Sequence, residues 1–267
     1  MGEEGDWDGM ANLLREALEE RSEDPAVLCW LGVAERELGL DGIAYERFRR
    51  CLAEGPEDPR ILATTGNGIA AFDDPEAESA LRAAATLGPS IPMTRWMYGA
   101  YLSREGLFED AMRELDAARE LDPDNYTVRL ERGVALALAG KVEEACAEFE
   151  RSVELDPADG WGLVLLGLGR IETGDVEDAA SVLAEGARER PEDVEAQCLA
   201  ALALSAAGEA DEALVMLERG RLRSEGVDRL LVSEAELRID EGAEASLTFL
   251  HSVVAPGAFR ERLMTRP

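Results

Sequence analysis

Histidine, lysine, aromatic residues and positive charge are all scarce in this chain of 267 residues. The one histidine, His251, excludes histidine-rich metal sites. Any Ser/His/Asp or Cys/His site would have to use it, and no nucleophile elbow or reactive-cysteine signature accompanies it. Neither a phosphate-binding G-x-x-x-x-G-K-[ST] nor a strand-borne G-x-G-x-x-G is present, since Gly167-Leu168-Gly169 lies inside a helical stretch. No catalytic, metal or cofactor site is therefore expected.

Basic residues number 27 against 57 acidic ones, a net charge of −30. That balance lacks the footprint nucleic acid requires and opposes docking on anionic lipid. It solvates the outer faces of helices, or it attracts a protein segment with basic flanks. No apolar run reaches the roughly 18 residues of a membrane span. The acidic start MGEEGDWDGM has no signal-peptide core. Four scattered cysteines, Cys29, Cys51, Cys146 and Cys198, follow no metal spacing and read as reduced structural thiols of a cytoplasmic protein.

Against these absences stands a ladder of small residues with a period of 34. One rung is Gly32, Gly66, Gly99, Gly133, Gly167, Ala201 and Ala235; a second is Gly5, Gly39, Gly106, Gly140, Gly174, Gly208 and Gly242. A third is Ala44, Ala77, Ala111, Ala145, Ala179 and Ala213, and prolines 56, 89, 123, 157 and 191 close each unit. A fixed period of this length is the signature of stacked repeats. Each unit holds two apolar-periodic stretches of helical length. The glycines between them suit a left-handed helix end. A glycine in mid-helix costs roughly 1 kcal/mol relative to alanine, so its recurrence marks a close helix approach. Phe48, Leu81, Leu115, Phe149, Leu183 and Leu217 lie one turn beyond the alanines and fill the remaining space.

The pattern G-x6-G-x4-A-x3-[F/L]-x2-small-x4-P, as in Gly133, Gly140, Ala145, Phe149, Ser152 and Pro157, resembles the tetratricopeptide repeat (TPR) family. The segments GLFEDAMRELDAARELDP (106–123) and GKVEEACAEFERSVELDP (140–157) resemble that family's second helix and exit loop. The resemblance implies an all-α fold, a right-handed α-solenoid of stacked antiparallel helix pairs. The expected organisation is one solenoid: a half-unit at 5–24, repeats at 25–58, 59–91, 92–125, 126–159, 160–193, 194–227 and 228–254, and a tail or cap at 255–267. The second repeat is one residue short, which the turn at Phe72–Asp74 accommodates.

In that family the first helices line a concave face where ligands lie. The corresponding residues here are Met93, Trp96, Arg104, Leu130, Val134, Leu138, Trp161, Val164, Leu168, Ile171, Cys198 and Leu202. Three readings of this apolar wall stand side by side: a groove for a partner's peptide or amphipathic helix, packing between adjacent helices, or occupancy by the tail through Phe259, Leu263 and Met264. The function implied is a non-enzymatic interaction scaffold or adaptor for a protein or peptide. The alternatives are a self-assembling module stacking through its end repeats, or the regulatory array of a larger enzyme. The face assignment itself is testable. Ala145→Leu overpacks a helix crossing and costs about 1–3 kcal/mol, while Glu143→Leu on the outer face costs little; urea denaturation of both variants checks this, and equal effects would refute the assignment.

Overall fold

The computed structural model describes residues 6–20 and 23–265. Gly5 of the second rung, and the last two residues of the tail, lie outside the described residues. All regular structure among the described residues is helical. The chain divides into two compact units, Met1–Pro123 and Asp124–Pro267.

In the first unit, α1 (Trp7–Glu20) packs on α2 (Pro25–Glu37), and α2 pairs with α3 (Asp41–Ala53). The hairpins α4 (Pro59–Ala70) with α5 (Ala77–Leu87), and α6 (Pro92–Arg104) with α7 (Phe108–Leu121), stack after it. The second unit repeats the scheme with α8 (Tyr126–Leu138) and α9 (Val142–Leu155), α10 (Gly160–Thr173) and α11 (Val176–Glu189), and α12 (Val194–Ala206) and α13 (Ala210–Arg223). It closes with α14 (Asp228–Glu241), α15 (Ala243–Phe249), a π turn at Leu250–Val254 and α16 (Ala255–Met264).

The hairpin turns share one geometry. Gly39, Gly106, Gly140, Gly174 and Gly208 have φ between +72° and +88°. The next amide bonds back to the carbonyl five residues earlier: Leu40 to Glu35, Leu107 to Leu102, Lys141 to Leu136, Asp175 to Arg170 and Glu209 to Leu204, at 2.8–2.9 Å. This Schellman closure needs a left-handed residue. In the second repeat Asp73 takes that role with φ +53°, and Asp74 N–H reaches Ile69 O at 3.4 Å. Gly66 to Asp73 keeps the spacing of Gly32 to Gly39, so the missing residue falls between Asp73 and Ala77. Asp74 steadies this altered turn. It is buried, accepts the Glu76 N–H (2.8 Å) and the Tyr45 hydroxyl (2.8 Å), and pairs with Arg49.

Aspartate and asparagine side chains start many of the first helices. Asp24, Asp58, Asn125, Asp159 and Asp193 each accept an amide of the first turn, and Pro25 and Pro59 follow their caps at the first helical position. The second helices end at Ala53, Leu87, Leu121, Leu155 and Glu189, short of the prolines at 56, 89, 123, 157 and 191.

Packing explains the mid-helix glycines. A methyl group at Gly99 would lie 2.7 Å from Leu115 Cγ, and one at Gly167 would lie 2.5 Å from Leu183 Cγ. At Gly133 the Phe149 ring already occupies the space. In the first unit Phe48 is 1% exposed and packs with Ala44, Ile69, Ala70 and Ala77. The terminal helix α1 covers Leu31 and Ala34 with Ala11, Trp7, Met10, Leu14 and Leu18. Its Arg15 reaches the buried Glu35 at 3.1 Å, which Arg47 of α3 also pairs at 3.1 Å. A buried carboxylate needs such partners, because removing them leaves an uncompensated charge.

The C-terminal segment departs from the repeat. Gly242 (φ +106°) turns the chain after α14. The helix from Ala243 onward then packs α15 and the π turn on α12, and α16 on α10 and α8. Pro256 offers no N–H and crowds the preceding turn. The helix absorbs this in the π turn, where Ala255 N–H bonds to Leu250 O. The segment 228–254 therefore begins as a repeat at α14 but continues as a helix laid back over earlier first helices.

Two glycine substitutions should diverge. Gly167→Ala forces Leu183 aside and lowers stability by about 1–3 kcal/mol. Gly42→Ala, in α3 with open space around it, raises stability by up to about 1 kcal/mol. Thermal denaturation of the two variants distinguishes a packing role from simple helix propensity.

Candidate protein interface

The first helices of the second unit are apolar on nearly every side. In α10 every residue from Gly162 to Gly169 is buried, and in α12 every residue from Ala196 to Ser205. One side of each helix packs on its hairpin partner. The side of α10 and α8 left over is covered by α16, whose Ala255, Ala258, Phe259, Arg262 and Leu263 are buried. Their spacing of i, i+3, i+4, i+7 and i+8 is one face of a helix. Phe259 lies over Gly169, where a methyl group would meet its ring at 3.8 Å.

Arg262 is the polar centre of this contact. It is 6% exposed. Its Nη1 and Nη2 donate to Asp193 at 2.9 and 3.0 Å, and its Nε and Nη2 donate to Glu195 at 3.1 and 2.9 Å. The guanidinium lies over the Trp161 ring, 5.2 Å from its centre. Arg190, paired with Asp193 at 3.2 Å, stands at the same distance from that ring. Burial alone would push the Asp193 carboxyl up, but the hydrogen bonds and charge of Arg262 outweigh it and hold it below the usual aspartate range. Burial wins at Glu195, whose carboxyl stays above its ordinary value despite Arg262. Burial also pushes Asp159, which caps α10 through the Trp161 N–H, upward, and the Cys198 thiol up to about 12.

The residues expected to line the wall are distributed as follows. Leu130, Val134, Val164, Leu168, Ile171, Cys198 and Leu202 are buried, while Leu138 and Trp161 are half-buried. In the first unit, Met93 packs against Leu62, Ala63, Ala80 and Ala84. Trp96 is half-buried, and Arg104 is buried with its Nη1 donating to Ala100 O at 3.1 Å. Of the tail residues considered for the wall, Phe259 and Leu263 are buried where α16 packs on α10 and α8, and Met264 is exposed. Asp193, Glu195, Arg190 and Arg262 were not among the expected site residues. In a chain with 57 acidic residues nothing local marks these two carboxylates, and Arg262 stands amid three other arginines or acids of the tail.

The sequence profile described as "Tetratricopeptide repeat" matches residues 99–160 and 164–220. No curated protein matches the chain. Among solved structures, a chain of the APC/C hetero-tetramer Cut9–Hcn1 is similar at TM-score 0.69 and 16% identity, with 86% of this chain and 46% of that chain covered. This chain therefore spans less than half the length of that relative. TTC0263, a thermophilic TPR protein of Thermus thermophilus, is similar at TM-score 0.61 and 22% identity over 68% of this chain and 99% of its own. YrrB, described as a TPR protein with an unusual peptide-binding site, is similar at TM-score 0.51 and 19% identity over 71% and 97%. At these identities the likeness is one of fold.

The carboxylates carry a prediction with a sign. Asp193→Asn keeps the cap on Ala196 N–H but removes the charge facing Arg262, and should cost about 1–3 kcal/mol at pH 7. Glu195→Gln should cost less, because burial already disfavours its anion. A depressed aspartate stabilises the fold above its unfolded value of about 3.9. The advantage of the wild-type chain over Asp193→Asn should thus vanish as pH falls through the folded value below that; melting curves across acid pH check it.

Proposed function

Because the chain is a tetratricopeptide-repeat protein, and this fold generally serves as a scaffold for protein–protein interaction, we propose that it is a non-enzymatic adaptor that takes a helical segment of a partner on the first helices of its second unit. One observation carries this reading: that face already accommodates a helix, the chain's own α16. The occupant's own chemistry, an apolar stripe with a cation beside it, supports a partner helix of the same kind. A partner segment with an apolar anchor and basic flanks matches both the wall and the net charge of −30. The four free, buried cysteines support a reducing, cytoplasmic setting.

A second reading is self-association. Leu222 of α13, Val227 of the following turn and Leu230 of α14 are 75%, 78% and 71% exposed, and Leu214 of α13 and Leu237 of α14 are exposed as well. Light scattering separates the two: a mass that stays monomeric at high concentration removes self-association.

For the adaptor, Trp161→Ala should lower partner capture by about tenfold or more without changing helical circular dichroism. Capture at the wild-type level, read by affinity purification and mass spectrometry, would overturn the reading.

A further inference from the structure

We infer that Trp161, Asp193 and Glu195 form a recognition pocket for an arginine carried on a partner's amphipathic helix, and that Arg262 fills this pocket until such a helix displaces α16. The inference rests on the reading above that this face takes a helix, and it adds what the helix must carry.

The pocket is built for one side chain. Two carboxylates, the N-cap Asp193 and the first-turn Glu195 of α12, converge on a single guanidinium with four hydrogen bonds of 2.9–3.1 Å, and an indole ring supplies a flat surface beside it. A planar fork satisfies all of these at once, whereas a lysine ammonium is a point charge that can neither bridge both carboxylates in this way nor stack on the ring. Arg190 alone does not replace it, since its ion pair is with Asp193 through Nε. When Arg262 leaves, Asp193 and Glu195 lose their main counter-charge, and a helix that covers them again without a cation would bury two uncompensated carboxylates. An incoming helix therefore binds well only if it returns an arginine.

The helix that fills the pocket is set apart from the stack. Gly242 turns the chain after α14, and the π turn at Leu250–Val254 lies where the helix passes from α12 onto α10 and α8. α16 is the last ten residues of the helix that starts at Ala243, carried past the π turn onto α10 and α8. It keeps its place through five side chains on one stripe, while Arg260, Glu261 and Met264 on the other side face solvent. The stripe defines the partner: small residues in the first turn, an aromatic side chain over Gly169, an arginine three residues later and leucine next to it.

The test uses the full-length chain and a fluorescently labelled synthetic peptide of residues 250–265 as the partner helix. The Arg262→Ala chain should bind this peptide about tenfold tighter than the wild-type chain does, as its own helix competes less. A peptide carrying Arg262→Lys should bind the Arg262→Ala chain about tenfold more weakly than the arginine peptide. That preference should disappear when Asp193→Asn and Glu195→Gln are added to the chain. Should Arg262→Ala lose helical signal, Leu263→Ala loosens α16 without emptying the pocket. Arginine and lysine peptides binding equally would overturn the pocket and spare the helix-binding face. No binding to a chain whose amides at 255–265 have lost hydrogen-exchange protection would overturn both readings. Unchanged protection in the loosened variants, with no gain in binding, would make the contact a fixed structural clasp and overturn displacement. A wild-type dimer that the peptide dissolves would make a second copy of the chain the occupant, and would also overturn the proposal.

Discussion

Everything in this protein depends on helices approaching more closely than ordinary side chains permit. At Gly99, Gly133 and Gly167 the neighbouring leucine or phenylalanine already stands where a methyl group would be. Each of these glycines gives up helix propensity of roughly 1 kcal/mol and gains a large apolar contact from the facing helix. Alanines at 111, 145 and 179, all fully buried, serve the opposing surface. Since no hairpin can bury its own apolar sides, cohesion within each unit comes from neighbour on neighbour.

That constraint also shapes the candidate interface. First helices pressed between two neighbours must be apolar almost all round, as α10 and α12 are. In the second unit the side of α8 and α10 left by the hairpins is covered by the chain's own terminal helix, and a guanidinium held by two carboxylates and an indole anchors it there. A wall of leucine and valine accepts many apolar helices at similar cost. A desolvated carboxylate pair does not, because it discriminates against any occupant that fails to bring a matching cation. For the proposed partner helix, selectivity would rest on the charged pair and adhesion on the wall.

Much of this was legible from residue order. The rungs of glycine, alanine and proline located the hairpins, and the left-handed turns at Gly39, Gly106, Gly140, Gly174 and Gly208 sit where the second rung places them. Asp73 shows the limit of that reading: an aspartate occupies the left-handed position, and only the backbone reveals that the shortened register falls after it. The wall residues from Leu130 to Leu202 were recognisable as apolar first-helix positions. What covers them was not, although Phe259 and Leu263 were visible as a helical stripe in the tail.

The amino-acid sequence by itself determined that this is a stack of helix hairpins, where each hairpin turns, and which small residues meet. These features depend on contacts within one repeat or between adjacent repeats, so they recur every 34 residues and leave a periodic trace. Only the tertiary structure decided where the last helix lies and that Arg262 joins Asp193 and Glu195, residues 69 and 67 positions away. A single long-range ion pair occurs once. It has no period, and among so many acidic side chains its partners look like any others until the fold brings them together and removes the water around them.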